Sequence, residues 1–448
     1  MKATVRVSAL VIAIAAASGC IGLDFEEEDD DGYEYEPEPE PPDEPATEEP
    51  RDPGAGDPFE QSWSCDAEGC SVAELTGGGF LLNYGHTCAR LGDGQVVCWG
   101  ASSSPPLSYW VPTAVGIDDA VSVAAGGDHV CAARSSGSVA CWGNSPALGL
   151  GDGSDRSEPT EIPGLEDVVE VASGAMHSCA RHADGTVSCW GSGDLWNEDP
   201  SSIGVRGPTP ADVEGIAGAV AITAGTVHTC ALVEDGGVLC WGANGAGQLG
   251  DGTFTHRPSP VLVQGVAEVS SVHAGGSATC AIDQEGNVFC WGFIGPGRWE
   301  PATVTPGDDA CQDDRALWRC PTFPIRVEGL PPAREVVLGK EHGCALAEDG
   351  GLWCWGSNRA GQLGDGTFGD SPVPVRVALD GVTHVTAGRL HTCASQGDGS
   401  IACWGDDEHR QLGIGDAAPW WCLDINGFDY PCANQPMRVL GFPSRLTL

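Results

Sequence analysis

The sequence predicts an all-β fold of seven repeated units, and three observations predict it. Cysteine pairs ten residues apart recur seven times, at 88/98, 131/141, 179/189, 230/240, 280/290, 344/354 and 393/403. Every first cysteine is followed by Ala, every second one by Trp-Gly, and a Gly sits six residues after each first cysteine. Successive copies start 43, 48, 51, 50, 64 and 49 residues apart. Seven copies at such a period mean an array or a β-propeller.

Local chemistry makes each copy a hairpin. In His228-Thr-Cys230-Ala-Leu-Val-Glu-Asp-Gly236-Gly-Val-Leu-Cys240-Trp241-Gly242 the aliphatic residues alternate, as Val238 does with Cys240. Glu-Asp-Gly lies between the strands. A three-residue loop ending in Gly is a type I turn followed by a left-handed residue, which Gly occupies without steric cost. Centring that loop on Asp235 sets Cys230 opposite Cys240, within disulfide reach. The expectation is seven cross-strand disulfides: Cys88-Cys98, Cys131-Cys141, Cys179-Cys189, Cys230-Cys240, Cys280-Cys290, Cys344-Cys354 and Cys393-Cys403. Each closes a loop worth roughly 2–3 kcal/mol in the chain-entropy treatment.

Histidines stand two residues before six of the first cysteines: His86, His129, His177, His228, His342 and His391. His-x-Cys with a distant Cys offers metal ligands, but zinc asks for four. The fifth copy has Ala278 in place of His and keeps both cysteines, whereas a metal site losing a ligand should degrade as a whole. No metal and no cofactor is expected. A residue repeated once per unit reads as a packing or hydrogen-bonding element, so no catalytic residue is assigned. The seven repeat tryptophans are expected to bury against the next unit.

Ala224-Gly225, His-x-Cys-Ala, Asp-Gly, Cys-Trp-Gly, Asn244 and Gly247-Gln-Leu-Gly-Asp-Gly252 recur in order. Together they resemble the repeat of the regulator of chromosome condensation family over residues 72–448. The resemblance implies a seven-bladed β-propeller with four-stranded blades. Gln-Leu-Gly stands intact at Gln248, Gln362 and Gln411, is partial at Leu148 to Gly153, and is lost in copies one, three and five. The first copy has Asn83-Tyr84-Gly85 where the others have an Ala-Gly lead-in. The chain ends Arg438-Val-Leu-Gly-Phe-Pro-Ser-Arg-Leu-Thr-Leu448, which resembles the start of one more repeat. The C-terminus is therefore expected to lend a strand to the first blade, closing the ring and removing exposed edges.

The N-terminus reads as an export signal: Lys2 and Arg6, an apolar run from about Val7 to Ala17, then Ala17-Ser18-Gly19-Cys20. That ending resembles the lipobox of bacterial lipoproteins, which implies a lipid on Cys20. Removing Cys20 leaves an even twenty of the 21 cysteines, as full pairing in an oxidising compartment requires. Residues 1–19 are thus expected to be a lipoprotein signal peptide and 20–60 an acidic, disordered tether. Within 24–60 there are 18 acidic residues and one basic, and Glu-Pro alternates from Glu36 to Pro42. Residues 61–448 are expected to form the propeller. Ile21, in place of an inner-membrane retention Asp, points to the outer membrane or cell surface.

The whole chain carries a formal charge of −43, and residues 61–448 keep −28 of it. Such a field repels phosphate backbones and argues against nucleic-acid partners. Beyond the signal no apolar run is long enough to span a membrane. Unusual segments follow Cys-Trp-Gly in alternate copies, at 101–112, 192–208, 293–325 and 406–436. They carry Tyr109, Trp110, Trp196, Trp299, Trp318, Phe323, Trp420 and Trp421, with extra disulfides expected at Cys311-Cys320 and Cys422-Cys432. Cys65-Cys70 is expected to pair ahead of the ring. Stapled loops bearing aromatics are pre-organised for recognition.

Fold alone does not settle function. The nuclear family member is an exchange factor for a small GTPase, an activity not carried over to an exported protein. Exported relatives include an inhibitor that binds β-lactamases, which implies a binding module: a monomer recognising a protein or cell-surface polymer. The alternatives are a lyase or hydrolase using the central channel, marked by carboxylates of raised pKa, and an architectural envelope protein.

Overall fold

The computed structural model describes residues 71–79, 85–101, 108–144, 147–192, 207–295, 320–423 and 429–442. Cys20, the tether, Cys65, Cys70, Trp196, Trp299, Cys311 and Trp318 lie outside them.

The described residues build strands only, arranged as seven antiparallel sheets of consecutive strands. Six blades have four strands, and the seventh has five. In the four-stranded blades the first strand lies innermost, the cysteine-bearing second and third strands form the middle, and the fourth is the outer edge; in the seventh a fifth strand lies outside the fourth. In blade four these are β13 (Ala219–Ala224), β14 (His228–Val233), β15 (Val238–Gly242) and β16 (Arg257–Leu262).

The hairpin turns follow the sequence. Val233 N–H donates to the Gly237 carbonyl, Gly236 N–H to Val233, and Gly236 adopts φ 78°. All seven equivalent glycines have positive φ, at positions 94, 137, 185, 236, 286, 350 and 399. The register sets each cysteine opposite its partner, as Cys230 opposite Cys240. All seven repeat pairs are disulfides, with Cα atoms 4.0–4.2 Å apart.

Strand alternation decides which blade each side chain meets. Cys and the His two residues before it share one face, which meets the following blade; Trp takes the opposite face. The tryptophans therefore pack on the preceding blade, a correction to the expectation that they face the next one. Trp190 of blade three lies fully buried against Cys131, Cys141, Leu148 and Ile162 of blade two. All seven repeat tryptophans are at most 1% exposed.

Ring closure also differs from expectation. The first blade owns its inner strand, β1 (Val72–Gly77), which packs against β25 (Val382–Ala387) and β26 (His391–Gln396) of blade seven. Gly78 N–H donates to the His86 carbonyl as Gly126 does to His129, so Gly77-Gly78 is the missing lead-in. It escapes sequence reading because eight positions separate it from its histidine, against three elsewhere. The C-terminal segment stays in blade seven: β29 (Asp429–Arg438) pairs with β27 (Ile401–Asp406). Beyond it Phe442 meets Trp99 of blade one edge-on at 5.9 Å, so among the described residues the tail contributes a side chain to the first blade and no strand. Pro436-Met-Arg-Val-Leu-Gly441 repeats the fourth-strand ending Pro324-Ile-Arg-Val-Glu-Gly329, which identifies it as the end of a blade.

Candidate functional site

Two regions gather chemistry: the rim formed by the loops between third and fourth strands, and the channel lined by the innermost strands.

On the rim, the intact Gln-Leu-Gly loops are closed by their own side chains. Asn244 Nδ2 donates to Asp251 Oδ1 and the Thr253 and Thr255 carbonyls, while its Oδ1 accepts from Leu249 N–H. Asn358 repeats the arrangement. The same loops clasp the next blade. The Gln248 carbonyl accepts from Thr279 Oγ1 at 2.8 Å and Trp291 Nε1 at 2.9 Å, and the Gln362 carbonyl from Thr392 and Trp404.

Each of these threonines belongs to a second repeating contact. His228 Nε2 lies 2.9 Å from Thr279 Oγ1 and His342 Nε2 2.9 Å from Thr392. His391 Nε2 reaches Thr87 at 2.9 Å, across the seam of the ring. Because the hydroxyl proton goes to the glutamine carbonyl, the imidazole must donate from Nε2. His129 Nε2 lies 2.7 Å from Ser178 Oγ and His177 Nε2 2.9 Å from Thr229 Oγ1. Burial pushes all six repeat imidazoles down, to about 3 or 4. This buried belt has the contacts of a structural element, and its cysteines are committed to disulfides.

Of the expected binding aromatics, Trp110, Trp420 and Trp421 are 59, 46 and 72% exposed. Phe323 is half exposed, whereas Tyr109 packs on the cluster between blades one and two. Trp420 and Trp421 lie on β28 (Trp420–Leu423), a hairpin partner of β29 fastened by the disulfide Cys422–Cys432. Cys320 is buried and disulfide-bonded. Trp110 is met by Arg410, whose guanidinium lies 5.4 Å from its ring centre, so blades one and seven share this patch. Arg410 stands where the intact loops have Gly247 and Gly361, and it keeps their left-handed backbone at φ 63°. Asp416 holds its guanidinium at 2.8 Å.

The channel holds residues that sequence reasoning missed. Its cavity, of about 280 Å³, is lined among others by Glu74, Glu170, His273, Glu335 and His384. Glu74, Glu170, Glu335 and His384 are each the third residue of their inner strand, a position that stands nine residues before the first cysteine in six copies. That spacing, with Arg two residues after the cysteine in copies one and three, was the available signal. Glu74 bonds Arg90 at 3.0 Å and the Val123 amide at 3.2 Å; Glu170 bonds Arg181 at 2.6 Å. Burial raises both carboxyls, opposed by their arginines. Glu335 accepts from Val385 N–H at 3.3 Å and lies 3.9 Å from His384 Nδ1. Leu346 occupies the place of the arginine there, and burial pushes Glu335 up to about 7.

A family model described as the RCC1-like domain matches residues 147–444, and one described as the regulator of chromosome condensation (RCC1) repeat matches 120–146. Among solved structures, Prp20p from Saccharomyces cerevisiae is 21% identical with a TM-score of 0.59. The match covers 71% of this chain and 80% of that one. Human WBSCR16 is 20% identical over 76% of this chain and 88% of its own, with a TM-score of 0.60. At these identities the likeness shows the fold.

Proposed function

The chain belongs to the RCC1-like domain family, and from that premise we propose that it is a binding platform whose aromatic loop face recognises a protein or cell-surface polymer. The observation that carries this reading is the solvent exposure of Trp110, Trp420 and Trp421 on the rim, where the repeat tryptophans are buried. Exposed tryptophans on disulfide-fastened or ion-paired loops present large apolar area at small entropic cost. The structural relative Prp20p has binding properties towards Gsp1p and histones, which supports a protein partner in kind and not in identity. The export signal and Cys20 support a lipid-anchored position in the bacterial envelope, at the outer membrane or cell surface. The capture experiment immobilises the full chain, exposes it to envelope extract, and repeats with 293–325 or 406–436 trimmed. A protein or polymer held only by the intact form supports the reading; equal capture by both forms removes it. Replacing Cys20 with Ser should release the protein from membranes.

Glu335 favours a second reading, an enzyme working in the channel. Its carboxyl titrates near neutrality and sits beside His384 in a cavity able to admit a small molecule. Against this stands its bond to the Val385 amide, the same contact that Glu74 makes with Val123. An inner strand is a sheet edge, and a side chain from the preceding blade satisfies its free N–H groups. That explains these carboxylates without chemistry.

A further inference from the structure

Every blade ends in an outer strand whose far side is a sheet edge, and such edges invite pairing with another chain unless they are blunted. Six blades blunt theirs in one of two ways. The outer strands β4 (Ser108–Ala114), β8 (Arg156–Glu161), β16 and β24 (Ser371–Arg376) contain Pro112, Pro159, Pro258 with Pro260, and Pro372 with Pro374. Proline cannot donate to a ladder. The remaining two, β12 (Ala211–Asp212) and β20 (Ile325–Arg326), are two residues long. Blade seven uses neither device. Its outermost strand is β28, Trp-Trp-Cys-Leu, with no proline and no charge within it.

The register shows which backbone groups β28 leaves open. Asp407 N–H donates to the Pro431 carbonyl, so Pro431 turns its backbone towards the ring. Alternation turns Tyr430 and Cys432 towards β28, where they face Cys422 and Trp420. The N–H and C=O of Trp421 and Leu423 then point outward, and among the described residues no strand pairs with that edge. The disulfide Cys422–Cys432 holds the hairpin in place, so the edge is ordered before anything binds.

We propose that β28 takes up an extended, basic segment of a partner protein as an added strand. Backbone bonds to Trp421 and Leu423 would give affinity, and the exposed indoles would cover the added side chains. Charge selects the occupant. The propeller carries −28 over residues 61–448, and Asp416 and Asp429 are exposed near the hairpin. Arg410 is already held by Asp416 and Trp110. A second copy of this chain would bring the same negative field and be repelled.

The proposal rests on the binding-platform reading, and the test separates the two. The probe is a synthetic octapeptide alternating lysine and valine, compared with the same peptide N-methylated at alternate residues so that one edge cannot donate or pair. Binding to the full chain is followed by calorimetry. The unmodified peptide should bind and the methylated one should lose at least about tenfold, since a strand addition depends on main-chain bonds. Leu423→Pro, which removes one outward N–H and keeps both tryptophans, should lose a similar factor; circular dichroism checks that it folds. No binding at about 1 mM, the weak limit of a specific contact, overturns the proposal. So does equal binding of both peptides. If Leu423→Pro still captures the envelope partner, the aromatic face stands and the strand edge does not. Concentration-dependent dimerisation abolished by Leu423→Pro would assign the edge to a second copy and sink the peptide proposal.

Discussion

Two buried polar rings run round this propeller, and they treat a missing partner differently. In the belt between blades, His donates to a hydroxyl on the following blade. Between blades five and six both members are gone together: Ala278 replaces the histidine and Gly343 the hydroxyl. Nothing polar is left stranded. In the channel ring, Glu74 and Glu170 keep Arg90 and Arg181, but Glu335 remains with Leu346 where an arginine would be. A buried donor or acceptor without a partner costs more than the bond contributed. The belt follows that rule at this interface; in the channel Glu335 keeps the Val385 amide but no arginine, and burial raises its carboxyl.

The two rings should therefore fail in opposite pH windows. The belt imidazoles have native pKa values of about 3–4 against an unfolded 6.5. The unfolded chain binds protons first, so their contribution is present above pH 6.5 and lost as pH falls towards 4. Six residues act together, making acid destabilisation the largest expected effect. Thermal melts that stay level from pH 7 to 4 would contradict the burial of the belt.

Glu335 behaves in reverse. Its native value of about 7 lies above the ordinary carboxyl value of 4.5, so its contribution is complete below pH 4.5 and lost as pH rises through 7. Glu335→Gln should stabilise the protein at pH 8 by up to about 3 kcal/mol, with the gain vanishing near pH 4. A cost at pH 8 would mean that Arg334 and His384 outweigh burial at this carboxylate.

Thr392→Val probes the belt where it is intact. It strands His342 Nε2 and removes the bond to the Gln362 carbonyl, and should cost about 1–3 kcal/mol in denaturant melts. A neutral result would equate this interface with the one at Ala278 and Gly343.

The smallest effect is expected where the belt has a natural gap. His86 faces Val130, at the position of the hydroxyl in five other blades, and its ring nitrogens have no hydrogen-bond partner among the described residues. Val130→Thr should stabilise by about 0.5–1.5 kcal/mol. The same melts measure it, and a loss would show that methyl packing outweighs the new bond.

Much of this was legible before the fold was known. Cys230 and Cys240 flank a turn whose length sets their register, so their pairing follows from chain geometry over a few residues. The six histidines could be read as structural from repetition alone, although the hydroxyl that five of them meet lies 49 to 52 positions further on, or across the seam. The channel carboxylates went unread because the signal is incomplete in each copy: Glu170 and Glu335 keep the nine-residue spacing, Glu74 and Glu170 keep the arginine, and the three line one cavity only when the ring closes. Gly77-Gly78 was missed because an insertion moved it away from its histidine, and the C-terminal segment was read as a new start when its Pro-x-x-Val-x-Gly ending marks the close of a blade.

By itself the sequence determined the number of units, the hairpin in each, its disulfide and its left-handed glycine, because all of these depend on spacing within one short stretch of chain. Tertiary structure alone decided which blade each face meets, how the ring closes, and where a carboxylate lacks an arginine or, among the described residues, a strand edge lacks a neighbouring strand. Those are relations between units, and side chains six blades apart in sequence become neighbours only through the curvature that brings blade seven onto blade one.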